Sequence, residues 1–124
     1  MNIREQLLVE HSKPNTKRIT AYVGSNRKRL ESLMNCFFSD EYRVSQRAAM
    51  AVSDVFDNHP SLMQNYLEKM IDNLGSKGQH VAIKRNTVRI LQFVEIPEQK
   101  KAQLFDQCLS FLIDSKEAIA VKAF

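Results

Sequence analysis

Apolar residues recur along this chain at helical spacing. Between residues 26 and 38, Leu30, Leu33, Met34, Phe37 and Phe38 follow the i, i+3, i+4, i+7, i+8 order of one helix face. From about 40 to 57 the stripe is Val44, Ala48, Ala51, Val52, Val55 and Phe56. Leu62, Met63, Tyr66, Leu67, Met70, Ile71 and Leu74 mark a helix opened by Pro60. A helix over about 79 to 94 carries Val81, Ile83, Val88, Ile90, Leu91, Phe93 and Val94. These reach well round its circumference, so it should be covered on more than one side. Leu104, Phe105, Cys108, Leu109, Phe111 and Leu112 line the helix after "EIPEQ", and Ile119, Val121 and Phe124 a last segment. Near the start, Ile3, Leu7 and Leu8 share one side of a short helix, and Ile19, Tyr22 and Val23 pack the next, over 14 to 23. No segment sustains a period of two. The pattern predicts an all-α chain of about eight helices.

The polar residues between these stripes supply starts and stops. Ser12 and Pro14 read as a helix start, with Pro tolerated in the first turn. Gly24 suits a C-terminal cap, and Ser25 or Asn26 caps the next helix. Ser39 or Asp40 opens the helix to residue 57, and Asp114 or Ser115 the last segment. "DNHP" and "EIPEQ" break the chain, and "GSKG", residues 75 to 78, is the clearest loop.

Composition fits this picture. The 124 residues suit one domain with a modest core, and three Gly with three Pro argue for long helices with short connections. The formal charge is +4, mildly basic, and the densest cluster is only Arg27-Lys28-Arg29, which reads as a solvated helix face. Cys36 and Cys108 lie far apart in apolar surroundings and form no C-x-x-C pair. The charged start, "MNIREQLLVE", is no signal peptide, and no apolar run approaches a membrane span. Buried, reduced thiols and a cytoplasmic chain are therefore expected.

The stripes also repeat. "LESLMNCFFSDEYRVSQRAAMAVSDV" and "YLEKMIDNLGSKGQHVAIKRNTVRILQFV" each give a Leu/Met-rich helix, a polar turn and a helix with an early basic residue. "LFDQCLSFLIDSKEAIAVKAF" begins the unit again. The basic positions Arg47 and Arg85 lie 38 residues apart, and Arg85 and Lys122 lie 37 apart. Such a period belongs to stacked helix pairs.

On "SDEYRVSQRAA", "GSKGQHVAIKRNT" and "DSKEAIAVKAF", the chain resembles the HEAT-like, armadillo-type α-solenoid family over about residues 26 to 124. In HEAT units a turn Asp precedes a Val-Arg pair and then Ala. Asp40 and Asp114 match the turn Asp approximately, and Val44, Ala82 and Ile119 the Val. Arg47, Arg85 and Lys122 stand near the basic position, shifted from strict adjacency, and the central turn has no Asp. The resemblance implies a right-handed α-α superhelix of about three helix pairs. Residues 1–24 would form cap helices, and 26–58, 60–94 and 97–124 the repeat units, the last incomplete. One pair cannot bury both its apolar faces, whereas stacked pairs share a continuous core. The pattern stops at Phe124 inside an apolar helix, so either a fragment or a face that meets a partner is expected there.

Catalytic chemistry is thinly supported. Some similar short chains carry an adenylosuccinate lyase label, but the S-S-x-M-P-x-K-x-N-P loop of that fold does not occur here. The HEAT-like alkylpurine DNA glycosylases place aromatic residues, notably Trp, beside a catalytic Asp. This chain has no Trp, and Tyr22, Tyr42 and Tyr66 are scattered. Asp54, Asp57 and His59 suggest a metal or acid-base group only weakly, because they also describe a helix C-terminus. Glu10 with His11, and His80 beside Gln79, read as solvated or structural. No phosphate-binding glycine loop or nucleophile elbow occurs. No catalytic residue, cofactor or metal is expected.

The basic residues give the candidate binding set: Arg43, Arg47, Lys84, Arg85, Arg89 and Lys122. Arg85 and Arg89 are i, i+4 neighbours, so they repel and favour water or an anion. Bonds to carboxylates of adjacent repeats are the leading reading of these residues; an acidic protein partner, or a row that tracks phosphates, is the alternative. A protein-binding scaffold is the leading expectation, with a nucleic-acid-associated module of the DNA-alkylation-repair kind as its rival. A homo-oligomer through the open C-terminal end is a third possibility.

Overall fold

Side-chain caps set the first three helices. In the computed structural model, which describes residues 1–75 and 81–124, helix α1 (Ile3–Val9) starts where the Asn2 side chain accepts the Glu5 amide. Helix α2 (Lys13–Val23) starts where Ser12 Oγ accepts the Asn15 amide, with Pro14 in its first turn. It stops at Gly24, whose φ of 48° any side chain would strain. Asn26 then accepts the Arg29 amide and opens α3 (Arg27–Phe37). The boundaries at Ser12, Gly24 and Asn26 agree with the sequence.

Helix α4 (Tyr42–Asn58) differs in its start. Its N-cap is Glu41, which makes no side-chain cap bond, and Ser39 Oγ instead accepts the Glu41 amide in the turn before it. A 3-10 helix, Pro60–Tyr66, replaces the first half of the helix expected after Pro60, and α5 (Leu67–Leu74) completes it. Helix α6 (Val81–Leu91) ends before Phe93, which turns out to solvent rather than covering the helix. A 3-10 turn, Glu98–Lys100, leads into α7 (Lys101–Ile113), and α8 (Ile119–Ala123) follows. Asp114 does not cap α8; its Oδ1 accepts the Lys116 amide in the preceding turn. The "GSKG" loop and His80 fall largely outside the described residues.

The chain forms two compact units, residues 1–63 and 64–124. In the first, α1, α2 and α3 all pack on α4. Ile19, Leu33, Phe37, Val44, Val52 and Val55 are sealed in its core. Ala48, Ala49 and Ala51 are fully buried, and their small side chains let α4 approach its neighbours closely. Burying one large aliphatic side chain contributes about 1.5 to 3 kcal/mol, so these stripes hold the unit together.

Polar groups complete that core. The buried Asn15 amide donates to the carbonyls of Gln6 and Glu10 at 2.9 and 2.8 Å and accepts from Gln6 Nε2 at 2.7 Å. It satisfies carbonyls that the end of α1 leaves without helical partners. Ser45 Oγ donates to the Phe37 carbonyl at the end of α3.

In the second unit α5 packs on α6 and α7, and α8 packs on α6 and α7. Leu67, Met70, Ile71, Ile90 and Val121 form its core. Lys100 Nζ and Gln103 Nε2 both donate to Asp72 Oδ1, at 2.8 and 2.9 Å, and Gln99 Nε2 donates to Glu68 at 2.7 Å. The 3-10 turn and the first turn of α7 thus meet α5 through polar side chains.

Candidate functional site

The six basic residues of the candidate set do different things. On α4, Arg43 is exposed, whereas Arg47 is half-buried and its Nη1 donates to the Leu7 carbonyl at 2.8 Å. On α6, Lys84 Nζ pairs with Glu117 at 2.8 Å and sits 5.0 Å from the centre of the Phe111 ring. Arg85 is exposed, Arg89 is half-buried and engaged in contact, and Lys122 is half-buried on α8. Arg43 and Arg47 belong to the first unit, and the other four to the second. Arg47 and Lys84 are committed within the fold, and Arg43 and Arg85 reach solvent.

Helix α7 departs most from expectation. Its apolar residues are expected to line an inner face, yet none of its residues is buried. Phe105 is 67% exposed, and Leu109, Leu112 and Ile113 are exposed with it. At 100° per residue these four share one stripe, while Gln103 and Gln107 point roughly the opposite way. The contacts to Asp72 turn the polar side towards α5, so the apolar row faces outward. Ile119, at 86%, is exposed too, and within α8 only Val121 is buried.

The family model for the HEAT repeat domain matches residues 3–124. The chain belongs to the HEAT repeat domain family. No curated protein and no solved structure matches it. The match takes in α1 and α2 along with the helices that follow them. In a HEAT chain each helix pair leaves an apolar face for another pair, and α7 presents such a face.

Two clefts of the first unit gather further polar groups of this HEAT chain. Asp54 and His59 line a cleft of about 420 Å³ in the first unit with Lys17, Thr20 and Asn58. Asp57 is exposed outside that lining, and no cluster of His, Cys, Asp and Glu among the described residues could hold a metal. A second cleft, about 340 Å³, is bounded by Arg4, Tyr22, Arg29 and Cys36. Arg29 lies 4.0 Å over the Tyr22 ring and donates to the Tyr22 carbonyl at 2.9 Å. Arg4 pairs with Glu41, which raises the guanidinium pKa further above its ordinary value. Burial pushes the Cys36 and Cys108 thiols up, away from reactive thiolates. Cys36 is buried as expected, but Cys108 is only half-buried because α7 is open. Among the described residues no helix is long and apolar enough to cross a membrane.

Sequence reasoning missed Asn15 and the outward turn of α7. A buried Asn inside a helix of mixed polarity leaves no periodic signal. The facing of α7 rests on Asp72, some thirty residues earlier in the chain. Lys100 and Gln103 look like ordinary surface residues until Asp72 is placed beside them.

Proposed function

We propose that this HEAT chain is a non-catalytic binding module whose α7 face receives an amphipathic helix of a protein partner. The observation that carries the reading is the exposed row Phe105, Leu109, Leu112 and Ile113. Contiguous apolar surface of this kind marks an interaction site, because water disfavours it by about 25 cal/mol per Å². The row has the i, i+4, i+7, i+8 spacing on which a helix with a matching stripe seats. Its flanks carry both signs, with Lys101 before it and Asp106 and Asp114 within and after it. The row therefore selects a partner by apolar fit, and acidity alone is not the criterion.

A photo-crosslinking amino acid at position 109, with the same group at position 43 as reference, tests this. Position 109 should label one recurrent amphipathic segment. That segment, made as a peptide, should bind the full chain and lose at least tenfold in affinity to Leu112→Asp. Equal, scattered labelling from both positions refutes the reading.

A further inference from the structure

A different surface, on the first unit, carries a charge pattern that the fold does not use. Residues 11 to 30 hold six Lys and Arg and no Asp or Glu. Lys13, Lys17 and Arg18 lie on α2, and Arg27, Lys28 and Arg29 on the first turn of α3. All six are exposed. Arg29 is occupied by Tyr22, but among the described residues the other five side chains form no ion pair or hydrogen bond. Two carboxylates are near: Glu31 follows Lys28 by one turn, and Asp54 shares a cleft with Lys17. They leave a clear excess of positive charge.

Stability does not account for this placement. A helix N-terminus is electropositive and favours acidic residues in its first turn. Neither α2 nor α3 has one there; Lys13, Arg27, Lys28 and Arg29 stand in those turns instead. The two helices are joined by a short turn at Gly24–Asn26 and pack on each other and on α4. Lys17 borders the cleft with Asp54 and Asn58 of α4, and Lys13, Arg18, Arg27 and Lys28 stand exposed on the same two packed helices.

The chemistry around the cations selects the ligand. None of the exposed large apolar residues falls between residues 10 and 41, so the surface lacks the apolar anchors of a protein interface. Its one aromatic, Tyr22, is covered by Arg29, which removes the stacking platform a single strand needs. Positive charge without anchor or platform fits a regular array of phosphates. We propose that the α2–α3 surface binds the phosphate backbone of a double-stranded nucleic acid, without reading its sequence. Lys13, Lys17, Arg18, Arg27 and Lys28 make the contacts. This surface shares no residue with α7, so the two readings can fail independently.

The test is fluorescence anisotropy of a labelled duplex of mixed sequence with the full chain, across a salt series. Five phosphate contacts predict a slope of log K on log salt of about −4 to −5, hence a loss of on the order of 100-fold or more between about 50 and 200 mM salt. The variant Lys17→Gln/Arg18→Gln/Arg27→Gln/Lys28→Gln should bind at least tenfold more weakly, with a slope near −1. The variant Arg43→Gln/Arg85→Gln/Lys116→Gln/Lys122→Gln removes the same charge elsewhere and should change affinity less than threefold. Leu109→Asp should leave duplex binding intact. Circular dichroism checks that each variant is folded. No binding at low salt, or equal losses in the two quadruple variants, overturns the proposal. Displacement of the duplex by polyglutamate at equal charge concentration also overturns it, since the surface would then serve acidic protein.

Discussion

The Arg47 guanidinium donates to the backbone carbonyl of Leu7 at 2.8 Å, joining α4 to the last turn of α1. The pair is separated by 40 residues in sequence. It turns a residue of the basic set into a brace for the first unit. Arg43, one turn earlier on α4, makes no such bond and is exposed.

These two arginines give a direct comparison. A hydrogen bond from a charged donor to a half-buried carbonyl contributes about 1.5 to 3 kcal/mol, less where water reaches it. Arg47→Ala should lower unfolding stability in urea by about 1 to 2 kcal/mol. Arg43→Ala should stay within about 0.5 kcal/mol of the parent. Equal effects at the two positions would show that the Leu7 contact does not hold α1 in place.

The Lys84–Glu117 pair makes a similar case in the second unit. The Glu117 side chain is only 6% exposed and that of Lys84 20%, so the pair is partly withdrawn from solvent. Removing one partner leaves the other charge poorly solvated, which costs about 3 to 5 kcal/mol in full burial. Either Lys84→Ala or Glu117→Ala should therefore destabilise by about 2 to 3 kcal/mol. The double variant should lose less than the sum of the two, with a coupling of about 1 kcal/mol or more. Strict additivity in the cycle would rule the pair out as a brace.

Much of this architecture could be read from residue order. The stripes through Leu30–Phe37 and Val44–Phe56 predicted α3 and α4 because their spacing matches the helix period and their core is local. Ser12, Gly24 and Asn26 marked boundaries because cap chemistry acts over three or four residues. The facing of α7 was not legible, because its apolar residues cover more than half the circumference and the Asp72 carboxylate that meets its polar side lies on another helix. The basic residues show the same limit. Arg47 and Arg85 hold similar places in their repeats, yet one bonds Leu7 and the other faces solvent. Charge is visible in a sequence, whereas the group that receives it is a property of the fold.

Asp72 supplies a pH test. Hydrogen bonds from Lys100 first, and Gln103 next, hold its carboxyl below the ordinary carboxylate range. A group whose pKa is lower in the folded state stabilises the fold above its unfolded value, near 3.9. That contribution disappears as pH falls through the folded value. A carbon-detected NMR titration should place the Asp72 midpoint below the ordinary aspartate value. Lys100→Ala should raise that midpoint and flatten the acid limb of the stability curve, because the stabilisation that Asp72 loses on acidification is then already absent. An unchanged midpoint in Lys100→Ala would remove the ion pair as its cause.

Thr87 offers a stabilising change. It is sealed in the second unit, and its Oγ1 has no hydrogen-bond partner among the described residues. A buried hydroxyl without a partner costs about 1 to 3 kcal/mol, and valine has nearly its shape. Thr87→Val should raise unfolding stability by about 1 kcal/mol, read as a higher urea midpoint with an unchanged slope. A loss of stability would reveal a hydrogen bond, direct or through water, that the hydroxyl makes in solution.

Truncating side chains in α7 and α5 separates binding surface from core. Leu67 is sealed in the second unit, whereas Leu109 is 46% exposed on the α7 row. Leu67→Ala removes packed methyl groups and leaves a cavity, so it should cost about 2 to 5 kcal/mol. Leu109→Ala removes a side chain with few neighbours and should change stability by no more than about 0.5 kcal/mol. Urea unfolding of the isolated chain reads both. A large loss at position 109 would mean that α7 buries its apolar row within the isolated chain, and the row would then be core. A small loss leaves Leu109 free to be covered by a partner, and the affinity of that partner is then where the substitution must register.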